Sequence, residues 1–370
     1  MKYEEARQNH LLPFVKQFKE TYKEKKETLI VAHNDADGIT SAVVFSKILD
    51  KLGLIYKLDY FVYFGDNEIR GAELSASHEL SKRIKESQVV IYLDYLSIHA
   101  EKSGKKIFIV DHHNKQGYGY ENAVWYCPLD KDIYRPSACA LCYDVYNELF
   151  GENHEMKLIG TIGSVGDSMF PNSLEYLKIK QDEQPFFLGT QISWFFFNAQ
   201  KIFLLAKDNA SCLRIYCLLI EKLTNKSLSD LLVLPEPLEK EIYKKLKKDK
   251  EVILRIKDKL EIYAEQKLIF LEMSAAEASS KDAVFSYLWL YYPGYLITIN
   301  INFGGVASLS MRSNTYDIYD VFGKIQSKID DLQFGGHPFA AGGKIPNESI
   351  SLLKDLIISE VNSGNVKKIY

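Results

Sequence analysis

Thr28-Leu29-Ile30-Val31-Ala32-His33-Asn34-Asp35-Ala36-Asp37-Gly38 passes from an apolar, β-branched run into a cluster of imidazole and carboxylate groups and then into a glycine. The run has the length and composition of a strand buried on both faces, and a helical pattern follows from Gly38 to Leu52. The same change recurs farther on. Val89-Val90-Ile91-Tyr92-Leu93 runs into Asp94, and Ile107-Phe108-Ile109-Val110 runs into Asp111-His112-His113. Phe61-Val62-Tyr63-Phe64 and Val124 to Cys127 are further strand candidates, and a helix from Ser137 to Phe150 is bracketed by Pro136 and Gly151. Residues 1 to 27 read as an amphipathic helix with a solvated Lys-Glu-Lys-Lys-Glu tail. Short apolar strands alternating with helices predict an α/β fold with a doubly wound, mostly parallel sheet.

Ligands bind such a sheet at the carboxyl ends of its strands. His33, Asp35, Asp37, Asp94, Asp111, His112 and His113 all follow strand ends, and a helical stretch through Gly160 to Gly166 delivers Asp167. Asp35, Asp37, Asp94 and Asp167 gathered in one pocket would repel and raise one another's pKa values. Two divalent cations would cancel that charge. Carboxylates with imidazoles suit Mn²⁺, with Mg²⁺ as the alternative. Two metals about 3.5–4 Å apart clamp a phosphoryl group and lower the pKa of a bridging water toward about 7, which sets up in-line attack on phosphorus. A single strand-end Asp is ordinarily a helix cap or turn residue. It is the coincidence at three strand ends that points to chemistry.

The 370 residues correspond to two domains at roughly 150 residues each. The net charge of -3, from 46 Lys+Arg and 49 Asp+Glu, is too near neutral for a protein that grips long duplex DNA over its whole surface. Nucleic-acid contacts must come from a local groove or from metal ions. A hydrophobic content of 46% excludes a disordered chain. Five Cys, sparse and odd in number, exclude a disulfide scaffold and fit a reducing, cytoplasmic compartment. The start lacks the pattern of a signal peptide. The most apolar stretch, Phe186 to Ala206, is interrupted by Gln191, Asn198, Gln200 and Lys201, which argues against a membrane span.

Three regions are expected: a metal-binding domain over 1–175, a helical connector over 176–265, and a smaller α/β domain over 266–370. The last has strand patterns at Leu268–Leu271, Val284–Tyr292, Tyr295–Ile301 and Val306–Met311, and helical ones near Asp317–Ile329 and Ser349–Ser363. Cys139-Ala140-Leu141-Cys142 reads as a packed, reduced pair on a helix. Trp194-Phe195-Phe196-Phe197 reads as core or subunit interface, and Lys240 to Lys259 as a solvated helix.

As a set, these motifs resemble those of the DHH phosphoesterases. Val31 to Gly38 is similar to the first motif, Asp94 after Ile91-Tyr92-Leu93 to the second, Asp111-His112-His113 to the third, and Gly163-Ser164-Val165-Gly166-Asp167 to the fourth. Phe334-Gly335-Gly336-His337-Pro338-Phe339-Ala340-Ala341-Gly342-Gly343 resembles the glycine-rich signature of the DHH-associated domain in its RecJ-like form, with Ser308 to Ser313 similar to the strand before it. The likeness spans roughly residues 28–170 and 268–345. It implies an active site in an interdomain cleft, with His33, Asp35 and Asp94 on one metal and Asp37, Asp94, His112 and Asp167 on the other. Asp94 would bridge, Asp111 would orient a histidine, and His113 would stabilise charge on the scissile phosphate. Arg312 would clamp a substrate phosphate, and a Gly335-Gly336-His337 loop would approach phosphate or sugar. The implied activity is a single-strand exonuclease on DNA or RNA, in the setting of DNA repair. The alternatives are a hydrolase of short substrates (oligoribonucleotides, cyclic dinucleotides or 3'-phosphoadenosine 5'-phosphate) and a partner protein of a helicase or replisome.

Overall fold

The computed structural model describes residues 3–61, 78–94, 105–112, 123–128, 136–167, 169, 173–180, 182–183, 192–206, 208–225, 236–292, 294–313, 315–337 and 340–368. The chain divides into two units, Met1–Leu234 and Pro235–Tyr370.

The first unit is built on a five-stranded sheet of β1 (Thr28–His33), β2 (Tyr56–Phe61), β3 (Val89–Leu93), β4 (Lys106–Val110) and β5 (Ala123–Tyr126), in the order β2-β1-β3-β4-β5. Every pairing is parallel. The central strands are buried on both faces, as a parallel sheet requires. Ile30, Ala32, Ile91, Leu93, Phe108 and Val110 enter the larger core. A helical run over residues 3–21 (α1), α2 (Ala36–Lys51), α4 (Ala138–Phe150) and α5 (His154–Gly166) also contribute to it, as do α6 (Ile192–Leu205) and α7 (Asn209–Thr224). The opposite residues Leu29, Val31, Val90, Tyr92, Ile107 and Ile109 pack with Leu80 and Ile84 of α3 (His78–Glu86). Helices on both faces make the sheet doubly wound. Phe14 and Phe18 stack edge-on against Phe108, and fully burying such side chains contributes about 1.5–3 kcal/mol each. The start of the chain is also tied down by polar contacts. The buried Asp144 carboxylate accepts from Tyr3 Oη at 2.7 Å and Tyr126 Oη at 2.5 Å, and pairs with Lys178 Nζ at 3.1 Å.

The second unit holds α8 (Glu236–Ile256), β6 (Glu261–Tyr263), β7 (Leu268–Ser274), α9 (Lys281–Tyr291), β8 (Leu296–Asn302) and β9 (Val306–Arg312). They are followed by α10 (Ile318–Ile325), β10 (Gln333–His337), β11 (Ala340–Pro346) and α11 (Ile350–Asn362). Its six-stranded mixed sheet has the order β10-β11-β9-β8-β7-β6, and only β7–β8 is parallel. Side chains alternate between two cores. Leu268, Phe270, Leu296, Leu309 and Met311 pack with α10 and α11, while Ile269, Leu271, Ile297 and Ile299 pack with α8 and α9.

Several local expectations need correction. Val284–Tyr292 is not a strand but most of α9. Val284, Phe285, Leu288 and Trp289 share one buried face at helical spacing, and the helix is the crossover that parallel β7 and β8 need. The glycine-rich Gly335-Gly336-His337 is not a loop but part of β10, paired with β11. A Cβ on Gly343 would lie 2.1 Å from Gln333 O, so glycine lets these two strands close. The second strand of the first sheet is Tyr56–Phe61; Val62 to Phe64 lie outside the described residues. Glu261–Tyr263 is a strand on β7 rather than helix. Within the region read as a connector, α6 and α7 pack into the first unit's core and α8 into the second's. Cys139 and Cys142 are buried free thiols, and Phe195 is core.

Candidate metal centre

Sheet register sets the site. Tyr60, Ala32, Leu93, Val110 and Tyr126 form one row across the first sheet. One residue beyond that row stand His33, Asp94 and Asp111, at the carboxyl edge of the sheet. Asp94 has a left-handed backbone (φ 56°), a conformation that Asp and Asn tolerate better than other side chains. Its N–H still donates to Val110 O at 3.0 Å, which holds the turn against the sheet.

Asp94 sits between two histidines. Its Oδ2 is 3.6 Å from His33 Nδ1 and its Oδ1 is 3.2 Å from His112 Nε2. His33 Nδ1 is also 2.9 Å from Asp35 Oδ2. His112 Nε2 lies 3.5 Å from Asp167 Oδ2 and 3.9 Å from Asp37 Oδ2. The Asp111 carboxylate accepts the His112 N–H at 2.8 Å and is fully buried. Three groups therefore have ligand atoms within 4.8 Å of one another: His33–Asp35–Asp94, Asp37–His112–Asp167, and Asp94–Asp111–His112.

The carboxylates are held from behind by backbone amides. Asp35 caps α2, its Oδ1 accepting from Gly38 N at 2.9 Å while Oδ2 faces His33. The cap and the ligand are the same side chain. Asp37 accepts from Ala138 N at 2.7 Å and Cys139 N at 2.9 Å, the first turn of α4, whose positive end suits an anion. Motif reading did not find this grip from α4. The signal available was Ser137 after Pro136, a helix start whose side chain caps Ala140 N. Gly163 enters the motifs only by its place in the sequence, yet a Cβ there would lie 2.2 Å from Thr40 Oγ1 and 3.0 Å from Asp37 Oδ1. It lets α5 close over the base of the site.

The protonation states carry the strain of so much charge. Burial and the neighbouring charges of Asp94, Asp167 and Asp35 push the Asp37 carboxyl well above its usual range. Burial works against a charged His33, but the Asp35 charge and hydrogen bond, with Asp94, outweigh it and hold the imidazole well above its ordinary value. Asp35 is the reverse case: burial opposes its charge, and His33 with the Gly38 N–H holds it far below the usual carboxylate range.

The donor set fits divalent metal. Asp35, Asp37, Asp94, Asp111 and Asp167 with two neutral imidazoles would carry five negative charges, and two divalent cations would offset four. Oxygen and imidazole donors of this kind suit Mn²⁺ or Mg²⁺. Mn²⁺ at about 100 times its dissociation constant is expected to stabilise the protein by about 2.7 kcal/mol per site. For a unit of this size that is a rise of roughly 5–10 °C in melting temperature, removed by EDTA. A thermal melt that does not move with millimolar Mn²⁺ would sink the metal assignment.

Among the other sequence candidates, His113 lies outside the described residues. Arg312 ends β9 in the second unit, its guanidinium 5.1 Å from the centre of the Phe285 ring. Gly335, Gly336 and His337 are on β10, with Gly335 paired to Gly342 and His337 to Ala340, the register partner of Arg312.

Among the described residues no helix is long and apolar enough to cross a membrane. The chain has no match among curated protein sequences. Several solved structures match it over nearly their whole length. A DHH domain from a member of a family of ribosomal proteins is 15% identical with a TM-score of 0.60, covering 98% of this chain and 92% of that one. The pGpG-specific phosphodiesterase PggH from Vibrio cholerae is 15% identical with a TM-score of 0.52, covering 91% and 99%. Exonuclease RecJ bound to manganese is 15% identical with a TM-score of 0.50, covering 96% and 94%. At these identities the likeness is one of fold. Residues 27–162 match the model of the DHH family, N-terminal domain. They hold the three strand-end motifs, so the first unit carries a DHH-family domain, within a chain of RecJ-like two-domain α/β fold.

Proposed function

We propose that this chain is a divalent-metal-dependent phosphoesterase that cleaves phosphodiester bonds of single-stranded DNA or RNA from an end. The observation that carries the reading is the pair of His/Asp groups sharing Asp94 at one strand edge. His33, Asp35 and Asp94 would hold one ion, and Asp37, Asp94, His112 and Asp167 the other. Bound there, the two ions would supply activation of water and neutralisation of charge on the phosphate.

The chain's own residues keep the ligands in place. The Gly38 N–H fixes Asp35, and the Ala138 and Cys139 N–H groups fix Asp37. Asp111 holds the backbone of His112 and so the angle at which its ring enters the site. Carboxylates positioned in this way need little reorganisation during the reaction. His113 is assigned charge stabilisation at phosphorus from its place in the sequence. Arg312 is assigned as a planar donor to a substrate phosphate, and Gly335, Gly336 and His337 as neighbours of the nucleotide.

The test uses 5'-labelled and 3'-labelled DNA and RNA strands of 2 to about 40 nucleotides with Mn²⁺, beside an Asp37→Ala control. Stepwise release of mononucleotides from long strands, absent in the control, is the expected result, and the label gives the polarity. A second reading, a hydrolase of oligonucleotides or dinucleotides only, is favoured by the near-neutral charge of -3. It predicts turnover confined to the shortest strands. No Mn²⁺-dependent cleavage at any length would reject both.

A further inference from the structure

Asn34 stands between two of the proposed ligands, His33 and Asp35, and is held from outside the motif. β1 ends at His33 and α2 begins at Ala36, so Asn34 and Asp35 form the link between strand and helix. The Gly38 N–H fixes the Asp35 end of that link. Asn34 itself donates from Nδ2 to the carbonyl oxygen of Ala206 at 3.3 Å, 172 residues along the chain. Ala206 is buried and lies at the junction of α6 and α7.

That junction is anchored on both sides. Before it, a Cβ on Gly166 would lie 2.6 Å from the Cβ of Ala36 and 3.3 Å from that of Ala199. Glycine at the end of α5 therefore seats between the start of α2 and α6. After it, Asp208 caps α7, and Asn209 reaches β2, an edge strand of the first sheet. Asn209 Oδ1 accepts the Tyr60 N–H at 2.9 Å. Its Nδ2 donates at 2.6 Å to the buried Asp59 carboxylate, which Arg83 also holds at 3.0 Å. The backbone N–H demands the amide oxygen and the carboxylate demands the NH₂ group, so this side chain has one orientation. Tyr60 and Phe61 are the register partners of Ala32 and His33. The junction is thus tied to β2 beside the end of β1, and it presents a carbonyl to Asn34 at that same end.

We propose that the α6–α7 junction positions the ligands of one ion, the one assigned to His33, Asp35 and Asp94. Asn209 sets where the Ala206 carbonyl stands, and Asn34 passes that position to the ligands on either side of it. The proposal rests on the two-ion reading above and deepens it by giving Asn34 and Asn209 a task at that site. The ligands of the other ion are held elsewhere, Asp37 by the first turn of α4 and His112 by Asp111. The junction therefore acts on one ion and not on both.

The test titrates the full chain with Mn²⁺ and follows the free ion by electron paramagnetic resonance, for the parent, Asn34→Ala, Asn34→Asp, Asn209→Ala and the Asn34→Ala/Asn209→Ala double variant. Contacts that orient a metal's ligands are worth about 10–100-fold in affinity. Asn34→Ala and Asn209→Ala are each expected to weaken one bound ion by at least about tenfold and to leave the other unchanged. The double variant is expected to bind no more weakly than the weaker single one, because both residues act along one path. Asn34→Asp separates position from charge. By attraction alone an added carboxylate tightens Mn²⁺ binding, but it has no proton to give the Ala206 carbonyl, so weaker binding is expected. Asn34→Ala is expected to melt in EDTA as the parent does. Should Asn209→Ala not fold, the two Asn34 variants decide. Parental Mn²⁺ binding by Asn34→Ala, tighter binding by Asn34→Asp, or equal weakening of both ions overturns the proposal. Cleavage of labelled strands by the same proteins separates the two readings. A parent that loses one ion's affinity on Asn34→Ala substitution but cleaves no strand rejects the activity and keeps the positioning role. Cleavage by the parent with unaltered Mn²⁺ binding in Asn34→Ala rejects the positioning role alone, and a parent that binds no Mn²⁺ rejects both.

Discussion

Replacing Asp94 by asparagine is expected to lower Mn²⁺-dependent phosphodiester hydrolysis by a thousandfold or more while leaving the fold intact. Both histidines flank this one side chain, so the substitution weakens both proposed ion positions at once. A metal supplies several kcal/mol of charge stabilisation in such chemistry, and each 1.36 kcal/mol is a factor of ten. Asparagine keeps the size of the side chain and tolerates the left-handed backbone at this position. Its removal of a negative charge also relieves the crowding that pushes up the Asp37 carboxyl. The metal-free variant is therefore expected to melt no lower than the parent, while its response to Mn²⁺ is lost. Hydrolysis within tenfold of the parent, at saturating Mn²⁺, would contradict a shared role for Asp94.

Gly38→Ala is the second large effect, and it runs against helix propensity. Alanine is favoured over glycine inside a helix by about 1 kcal/mol. At Gly38, however, a Cβ would stand 2.4 Å from His33 O and 2.7 Å from His33 C and Cβ. These are mostly backbone atoms at the end of β1, so no side-chain rotation relieves the clash. Overpacking of this kind costs about 1–3 kcal/mol, and the shift it forces falls on His33 and on the amide that holds Asp35. Displacing a reacting geometry by about 1 Å costs on the order of a hundredfold in rate. The expected result is a lower melting temperature, a smaller Mn²⁺ response and a hundredfold loss of activity. Gly323→Ala is the matched control. Gly323 lies within α10 and a Cβ there meets nothing within 4 Å, so alanine should stabilise by up to about 1 kcal/mol with activity unchanged. Normal activity in Gly38→Ala would show that the strand-to-helix junction can move without disturbing the ligands.

The strand ends were readable because each ligand follows its strand directly. His33, Asp94, and Asp111 with His112 need only the strand to be recognised for their place at the sheet edge to follow. Contacts between distant segments were not readable in this way. The grip on Asp37 by Ala138 and Cys139 joins residues about a hundred positions apart, and nothing local to either segment announces it. The helix α9 is not legible in the sequence for a different reason. Val284 to Tyr292 is apolar or aromatic at nearly every position, and such a run has no period to separate strand from helix. What decides it is the parallel pairing of β7 with β8, a fact of topology. The loop at Gly335-Gly336-His337 is what the family resemblance implies, whereas the glycines of β10 and β11 let two strands approach.

The row from Tyr60 to Tyr126 has a bearing on how such a chain can change over generations. The three strand-end residues meet because β1, β3 and β4 stop in step. Gaining or losing one codon inside any of these strands would turn its terminal side chain to the other face of the sheet and leave the neighbours aligned with nothing. Length changes between the strands carry no such penalty, since connecting segments tolerate insertion far better than paired strands do. Related sequences that keep this chemistry should therefore hold the strand segments to a fixed count of residues and vary freely in the stretches that join them.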